Sequence, residues 1–469
     1  MEAIKLVSRL ENKKSREGTH SIYQTVWRWH FYAGIIFAPF LIILAFSGGV
    51  YLFKPQIENV LYKDLYYVKK ALEKELTPTE LVNKVKKQYP KSTVTAVKSY
   101  DDPKRTAEIS IKNGESMNSV YIDPYNGKIH GSLAEEKKFT EIFKKLHSEL
   151  IVGGTFANRL VELAACWGVI LLGTGLYIWW PRNKQSIWGT ILPRFSAKGR
   201  TFWRDMHAVP AFWVSLGILL LIATGLPWSG VMGEKINKMA TSTNTGYPPF
   251  AFNYMGKPES EVTTKDVAKD VPWATENQPV PASEKGKHSL TLENVRAIAS
   301  KEKIQKPYSI SLPEGAKGVY TISTSSPNPM KDATLNIDQY NGKVLTDVRF
   351  HDYGIMAKLI SLGLAFHQGT LFGLANQIVG LILCLGLIGI ALSSYIMWRK
   401  RKPRGKLGSI SPAKSRKVTT IIFFIMLSMG LVMPLVGISI VVVFLLDWLI
   451  IKRIEPLNAW LNYIRNDGY

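Results

Sequence analysis

The stretch YIDPYNGKI at residues 121–129 returns as NIDQYNGKV at residues 336–344, an offset of 215 residues. In both copies the Asn-Gly pair predicts a tight β-hairpin turn, because both residue types tolerate positive φ. A helical pattern precedes each copy, TPTELVNKVKKQYP in the first and SLTLENVRAIASKEK in the second, with apolar residues near i, i+3 and i+4 spacing. The sequence therefore predicts one small α+β domain in each half of the chain.

Long apolar segments flank the two predicted domains. Crossing a hydrocarbon core of about 30 Å takes roughly 20 helical residues. Four segments approach or exceed this length: residues 31–53, 163–180, 208–228 and 379–398. A further apolar stretch, residues 418–451, has Asp447 as its one charged residue. Because Gly430, Pro434 and Gly437 interrupt it, we predict a tight hairpin of two spans, with a single tilted span as the alternative.

The basic residues indicate how the chain is oriented in the membrane. Lys and Arg are concentrated in residues 1–30, 181–206 and 399–417, and the positive-inside rule places such segments in the cytoplasm. Residues 54–146 and 231–366 are then extracytoplasmic, in a multi-pass protein of the cell membrane with a cytoplasmic N-terminus. Much of the net charge of +23 follows from this topology, so no nucleic-acid partner is predicted.

Each repeat therefore consists of a span, an outer domain and a second span. The chain contains two such repeats in tandem, followed by the C-terminal hairpin. We predict a polytopic α-helical membrane protein with an internal tandem repeat and two extracytoplasmic α+β domains. The predicted segments are a cytoplasmic tail (1–30), a first span (31–53), a first outer domain (54–146), a second span with a projecting N-terminal part (147–180), a basic cytoplasmic loop (181–206), a third span (207–230), a second outer domain (231–366), a fourth span (367–398), a second basic loop (399–417), the hairpin (418–451) and a cytoplasmic tail (452–469).

Histidines open all four repeated spans. His30 and His207 lie at the predicted cytoplasmic ends, whereas His147 and His367 lie at the predicted outer ends. A pair within one repeat would have to reach across about 30 Å of membrane, so any pairing joins the two repeats. The sequence therefore predicts an inner pair, His30 with His207, and an outer pair, His147 with His367. The remaining histidines have no repeat partner and are expected at the surface: His20, His130, His288 and His351.

Two distances complicate the outer pair. His147 precedes Leu163, the start of an apolar run, by 16 residues, or about 24 Å along a helix. His367 precedes Val379 by 12 residues, or about 18 Å. Three explanations are open: helices that project beyond the lipid, bends at the intervening glycines, or burial of the intervening polar residues inside the bundle. The third is favoured in part.

The chain resembles the PepSY-associated transmembrane family, often described as iron-regulated membrane proteins. The resemblance rests on the order of elements, the two YNGK stretches and the four histidines that open the spans. The resemblance covers roughly residues 20–400 and leaves out the C-terminal hairpin. It implies that the outer domains are PepSY-like. Members of this family include integral membrane reductases of ferric siderophores that bind b-type haem through histidine pairs. The resemblance therefore implies two haem b groups per chain, held by His30 with His207 and by His147 with His367.

Arg159 is a charged residue near the predicted outer site with two open roles. It is spaced i, i+3 from Glu162, so the two side chains could neutralise each other inside the bundle. Its guanidinium also suits the carboxylate fork of a haem propionate. Both roles stay open from the sequence.

A protein of this kind would carry electrons across the bilayer and reduce a ferric siderophore, or other ferric iron, at the outer face. The sequence has no GxGxxG fingerprint after a strand, so electrons are expected from the quinol pool or from a separate cytoplasmic reductase. The alternative, from a different class, is a non-enzymatic membrane-anchored PepSY protein. Its outer domains would bind or regulate an extracellular partner such as a peptidase.

Overall fold

The computed structural model describes residues 2–181, 186–246, 263–268, 271–272, 274–284, 286–324, 326–409 and 415–461. For residues 2–20 and 416 it describes the backbone alone. Parts of both predicted basic loops and the end of the predicted C-terminal tail lie outside these ranges. The chain divides into two compact units: a membrane unit of residues 1–49, 145–234 and 379–469, and a sheet unit of residues 50–144 and 235–378.

The described residues form both α-helices and β-strands. The helices are α1 (Glu2–Tyr51), α2 (Lys54–Leu61), α3 (Lys63–Tyr66), α4 (Pro78–Gln88), α5 (Phe139–Glu149), α6 (Gly154–Trp179), α7 (Gly199–Gly225), α8 (Val231–Ser242), α9 (Thr264–Val267), α10 (Leu292–Lys301), α11 (Ile355–His367), α12 (Leu374–Arg401), α13 (Arg416–Val432), α14 (Pro434–Leu449) and α15 (Glu455–Leu461). The strands are β1 (Thr93–Ser99), β2 (Ala107–Asn113), β3 (Ser116–Ile122), β4 (Ile129–Ala134), β5 (Tyr308–Ser311), β6 (Val319–Thr324), β7 (Ala333–Asp338) and β8 (Val344–Arg349).

Within the described residues, five helical segments are long and apolar enough to cross a membrane: Ser21–Tyr51, Gly154–Trp179, Gly199–Trp228, Leu374–Arg401 and Pro434–Arg453. The apolar helix Lys417–Val432 is shorter. The sequence predicts six spans, and the first helix of the C-terminal hairpin is the one that falls below the length of the others. Pro434 starts the next helix at once, because proline is well suited to the first turn of a helix.

Helices α13 and α14 form a tight antiparallel hairpin. A Cβ added to Gly430 would lie 2.4 Å from the Cα of Gly437, so the two backbones touch near the turn. Farther from the turn, the rings of Phe423 and Phe444 lie 5.5 Å apart. The two contacts pair residues in opposite chain order, as an antiparallel arrangement requires. Glycine at the turn permits this close approach, because any side chain there would separate the helices.

The hairpin packs against α1 and α6 in the core of the membrane unit. Its buried residues join those of the two helices, and Met232 of α8, in a single apolar cluster: Ala33, Phe37, Ala164, Cys166, Trp167, Ile170, Met232, Met426, Met433, Val436 and Ile440. The indole N–H of Trp167 donates to the hydroxyl of Ser439 on α14 at 3.0 Å. The Trp167 ring also stacks on Trp29 and Phe37 of α1, with centroids 6.2 and 5.4 Å apart.

In the sheet unit, eight strands of the described chain form one antiparallel sheet in the order β4-β3-β2-β1-β5-β6-β7-β8. Each half of the chain supplies four consecutive strands, and the halves join where β1 pairs with β5, with Val97 opposite Ile310. The N–H and C=O groups that each strand would expose at an edge are satisfied by this pairing. The two segments that the sequence predicts as separate α+β domains therefore share a single sheet.

Helices α4 and α10 pack their buried residues into the apolar core on this sheet. Thr77 and Glu80 form a capping box at the start of α4, which satisfies N–H groups that a helix leaves unpaired. The backbone N–H and hydroxyl of Thr79 then donate to the carboxylate of Glu293 on α10, at 2.9 and 2.7 Å. The first turns of the two helices are therefore linked directly.

The two YNGK turns are built alike. An Oδ1 atom of Asp123 accepts the N–H of Tyr125 at 2.8 Å, and Asp338 accepts the N–H of Tyr340 at 2.8 Å. The glycine of each turn has positive φ, 72° in the first and 74° in the second. The aspartates thus cap their own turns, a role that short acidic side chains fill well.

Candidate functional site

The structure brings His30 and His207 together inside the membrane unit. His30 lies on α1 and His207 on α7, and their ring centroids are 6.3 Å apart with an interplanar angle of 75°. Both side chains are half-buried. The two residues that the sequence predicts as an inner pair are therefore neighbours, although they are 177 positions apart in the chain.

The hydrogen bonds of these two rings indicate which nitrogen carries the proton. Nδ1 of His207 lies 2.9 Å from the carbonyl oxygen of Ile390 on α12, and a carbonyl can only accept. Nδ1 of His30 lies 3.0 Å from Oγ1 of Thr174 on α6. Because that hydroxyl already donates to the carbonyl of Ile170 at 2.6 Å, it accepts from His30. In the neutral rings Nδ1 is thus the donor, and Nε2 carries the lone pair.

This arrangement suits a pair of axial ligands. Histidines that bind a metal ion usually donate their other ring N–H to a carbonyl or similar acceptor, which fixes the tautomer and the ring orientation. Two imidazole nitrogens that bind one metal ion from opposite sides, at about 2 Å each, place the ring centroids about 6 Å apart. The observed 6.3 Å therefore fits a bis-histidine haem site. Such a site needs only two protein ligands, and in the described residues no group of three or more His, Cys, Asp or Glu could hold a metal ion.

His147 is anchored in the same way at another point of α1. Its Nδ1 lies 3.0 Å from the carbonyl oxygen of Leu44 and 3.2 Å from Oγ of Ser47. The Ser47 hydroxyl donates to the carbonyl of Ile43 at 2.6 Å, so it too can accept from the ring. His147 is again a histidine whose Nδ1 faces acceptors on a neighbouring helix.

The contacts of α1 place the two anchored histidines far apart along this helix. Ser47 lies 17 residues beyond His30, which corresponds to about 26 Å of helix. His147, which contacts Ser47, therefore lies near one end of the apolar part of α1, whereas His30 lies near the other. A pair within one repeat would have to bridge this distance.

The chain reaches this position because the helix before the second span is interrupted. The sequence predicts a second span with a projecting N-terminal part from residue 147, whereas the structure ends α5 at Glu149 and starts α6 at Gly154. Leu150 and Ile151 have positive φ, as do the two glycines that follow, and a right-handed helix cannot continue through such residues. His147 lies before this bend and contacts Leu44 and Ser47 of α1.

His367 occupies the corresponding place in the second half of the chain, as the last residue of α11. Glycines with positive φ at 369 and 373 separate it from α12. Asn376 Nδ2 donates to the carbonyl of Phe366 at 3.0 Å, just as Asn158 Nδ2 donates to the carbonyl of Ser148 at 3.3 Å in the first half. His147 belongs to the membrane unit and His367 to the sheet unit, and their pairing stays a prediction.

Arg159 and Glu162 form the ion pair that their spacing predicts, with 3.8 Å between Nη1 and Oε2. Glu162 is 1% exposed, and its carboxylate accepts the N–H groups of Val231 and Met232 at 2.8 Å each. The negative charge thus caps the N-terminus of α8, where the helix dipole favours an anion. Glu162 is therefore buried while the side chain of Arg159 stays partly exposed, and the haem propionate role of Arg159 stays a prediction.

Three of the four histidines without a repeat partner are described with their side chains. Nδ1 of His130 donates to the carbonyl of Asp64 at 2.8 Å, and Nε2 of His351 lies 2.9 Å from the carboxylate of Asp352. Both rings are in the sheet unit, and His288 is exposed there as well. The side chain of His20 lies outside the described ones.

The apolar spans together with the sheet unit define a multi-pass helical membrane protein that carries an antiparallel sheet in its connecting segments. The chain belongs to the family of the PepSY-associated TM region, whose family model matches residues 27–401. That match includes the first four apolar spans and ends before the hairpin of α13 and α14. No match was found among curated proteins.

Proposed function

We propose that this protein transfers electrons across the cell membrane through haem b and reduces a ferric siderophore, or another ferric complex, at the outer face. The observation that carries the proposal is the paired arrangement of His30 and His207, whose ring centroids are 6.3 Å apart. Nδ1 of His30 donates to an acceptor on α6, and Nδ1 of His207 donates to an acceptor on α12. A histidine that serves only as an interfacial residue needs neither a second histidine beside it nor a fixed tautomer.

In this proposal the chain holds two haem b groups. Nε2 of His30 and of His207 would hold the inner one, and His147 with His367 would hold the outer one. The separation of about 26 Å along α1 between His30 and the residues that contact His147 supports two sites on opposite sides of the membrane. Bound haem supplies a reversible one-electron carrier that side chains of this bundle lack.

The chain's own residues orient the ligands. The carbonyl of Ile390 and the hydroxyl of Thr174 keep the lone pairs of the inner histidines on Nε2. Arg159 would bind a haem propionate only through guanidinium N–H groups that do not face Glu162. Trp29 and Ala33, which lie on either side of His30 in the sequence, pack in the apolar cluster of α1, α6 and the hairpin.

The proposed topology has the N-terminus in the cytoplasm, because basic residues are concentrated in residues 1–30, 181–206 and 399–417. The sheet unit is then extracytoplasmic, and we assign its two halves, each with a helix and four strands, as two PepSY-like domains of an internal tandem repeat. A ferric complex would meet the outer haem on this side of the membrane. Electrons would come from the quinol pool or from a separate cytoplasmic reductase, one for each ferric ion reduced to ferrous.

The test is haem stoichiometry of the detergent-purified chain, by the pyridine haemochrome assay with oxidised and dithionite-reduced spectra. We expect two low-spin b-type haems per chain. His30→Ala or His207→Ala should each remove one equivalent and leave the outer haem, and His147→Ala or His367→Ala should do the reverse. His130→Ala and His351→Ala are matched controls that should keep both.

A chain that contains no haem after expression with adequate haem supply would overturn the proposal. The sheet unit would then be the functional part, as a membrane-anchored PepSY protein that binds or regulates an extracellular partner such as a peptidase. Equal loss of haem from all four histidine variants would instead point to one shared site or to misfolding.

A further inference from the structure

The segment between α6 and α7 combines an ordered backbone with exposed apolar side chains. Five side chains in residues 187–195 are both apolar and exposed, at 40–71% of their full surface: Ile187, Trp188, Ile191, Leu192 and Phe195. The sequence assigns this segment to a basic cytoplasmic loop, in which polar side chains would be expected. An apolar patch of this kind on a described surface marks a contact with something other than water.

The backbone at the tip of this segment satisfies its own polar groups. The carbonyl of Ile187 accepts the N–H groups of residues 190, 191 and 192 at 3.0–3.3 Å, and Gly189 donates to the carbonyl of Leu192 at 2.6 Å. The carbonyls of Thr190 and Ile191 accept the indole N–H groups of Trp179 and Trp213, at 3.0 and 2.9 Å. Backbone that enters lipid needs such internal partners, because no water is present to replace them.

The position of Trp213 gives the depth of the tip. Trp213 lies 14 residues beyond Gly199, the first residue of α7, and five residues inside the apolar run that starts at Ala208. Helical side chains lean toward the N-terminus of their helix, so the indole meets the tip near the start of that run. This level corresponds to the boundary between lipid headgroups and acyl chains, where tryptophan is also enriched.

Arg194, the one charged residue in residues 187–195, forms an ion pair with Asp205. Arg194 bonds to the carboxylate of Asp205 through Nε at 2.7 Å and Nη2 at 3.0 Å, and Asp205 is fully buried. The guanidinium packs over Gly189, which has φ of 84° and no room for a side chain. Pairing lowers the unfavourable free energy of bringing a charge near hydrocarbon. It also joins the segment to α7 two residues before His207.

We infer that residues 187–195 form an interfacial loop that inserts its apolar side chains into the headgroup and acyl boundary of the bilayer. The partner is a lipid surface, because the loop lies between the apolar spans α6 and α7 in the chain and the N–H groups at its tip have partners within the protein. The inference concerns the membrane contact of the chain and stands independently of haem binding. The loop anchors the α6–α7 connection at the depth of the inner histidines.

The test uses spin labels at single cysteines. The chain's two native cysteines, Cys166 and Cys384, are replaced by alanine, and Trp188→Cys, Ile191→Cys, Phe195→Cys and the control Lys198→Cys are made one at a time. Each labelled variant is reconstituted into vesicles of phosphatidylethanolamine and phosphatidylglycerol. Collision with oxygen, which partitions into lipid, is compared with collision with a water-soluble nickel chelate.

We expect the oxygen-to-nickel collision ratio to be several-fold higher at 188, 191 and 195 than at 198. Nickel access equal to that of the Lys198→Cys label would overturn the inference and leave the apolar patch for a protein partner. A second measurement avoids any substitution: a photoreactive group in the acyl chain of a lipid should modify residues 187–195 of the wild-type chain. Absence of modification there, with the spans modified, would contradict insertion.

Discussion

His30 packs on the backbone of Gly175: a Cβ added to Gly175 would lie 3.2 Å from Cε1 of His30. His147 makes the equivalent contact with Gly48, at 3.1 Å. In both cases the residue just before the glycine has a hydroxyl that faces Nδ1 of the same ring. In each case a hydroxyl residue followed by glycine contacts a histidine of another helix. Thr174 and Gly175 of α6 contact His30, near one end of the apolar part of α1, and Ser47 and Gly48, near its other end, contact His147.

Substitution at Gly175 should therefore disturb the inner site selectively. In Gly175→Val the added carbons would overlap the ring of His30, so we expect the haem content to fall from two equivalents to about one. Gly173→Val is a matched control on the same helix, because a Cβ at Gly173 meets no atom within 4 Å. Pyridine haemochrome assays of the two variants make the comparison, and equal haem content in both would contradict the role of the close contact.

Thr174→Val should keep the shape of the site but remove the acceptor for Nδ1 of His30. Loss of such an outer partner of a ligating histidine typically weakens metal binding by about 10- to 100-fold. We expect the inner haem to dissociate at least tenfold faster when apomyoglobin is added as a haem acceptor. Ser215→Ala, which removes a hydroxyl bonded only within α7 in the described contacts, is the control and should leave the rate unchanged. An unchanged rate in Thr174→Val would show that packing alone orients His30.

The sequence predicts the inner pair because membrane topology limits which histidines can meet. His30 and His207 are predicted at the same face of the membrane, whereas the two histidines within each repeat are predicted at opposite faces. It does not predict which groups hold Nδ1, since the carbonyl of Ile390 becomes relevant only once α7 packs on α12. The hydroxyl and glycine pairs at 47–48 and 174–175 were a usable signal, because a small residue beside a polar one leaves space and an acceptor together.

Other features depend on contacts that periodicity does not encode. The pairing of β1 with β5 joins two separately predicted domains into one sheet, and strand patterns carry no information about which edges meet. The interruption after Glu149 rests on positive φ at the non-glycine residues Leu150 and Ile151, which local propensity disfavours. The N–H of Ile151 donates to the carbonyl of Lys145 at 3.3 Å, and His147 joins the end of α5 to α1.

The hairpin should contribute to the stability of the membrane unit through Ser439. Ser439→Ala would leave the indole N–H of Trp167 without its partner in an apolar setting, at a cost of about 1 kcal/mol. Ser428→Ala is the control, because that hydroxyl is exposed on α13 and bonds to the carbonyl of Ile425 in its own helix. Unfolding titrations in mixed micelles measure the difference. If both variants unfold alike, the bond across the hairpin contributes nothing measurable.

Asp332 in the sheet unit should make stability fall as pH rises. Burial raises the pKa of its carboxyl from the ordinary value to about 7. A carboxyl with a raised pKa in the folded state contributes stability that is full below its unfolded pKa of about 4 and is lost as pH rises through 7. We expect the melting temperature to drop between pH 5 and pH 8, and Asp332→Asn to reduce that drop. Asp101→Asn, at an exposed position, should leave it intact.

Glu162 and Arg159 should differ sharply when each is replaced. Glu162→Gln keeps the size of the side chain but removes the charge, so the N–H groups of Val231 and Met232 lose a carboxylate that accepts both. Because this site is 1% exposed, we expect destabilisation of about 2 to 3 kcal/mol. Arg159→Ala should destabilise by less than 1 kcal/mol, since its 3.8 Å contact is long and its side chain is 34% exposed.

Haem content then separates the two roles that the sequence leaves open for Arg159. If the guanidinium only pairs with Glu162, Arg159→Ala should keep both haem equivalents and show the small loss of stability alone. If it holds a propionate, the variant should lose or weaken the outer haem while its unfolding free energy hardly changes. Arg159→Lys distinguishes the cases further, because a lysine retains the charge but not the two-pronged fork that matches a carboxylate. Restored haem content in the lysine variant would indicate that charge alone suffices at this position.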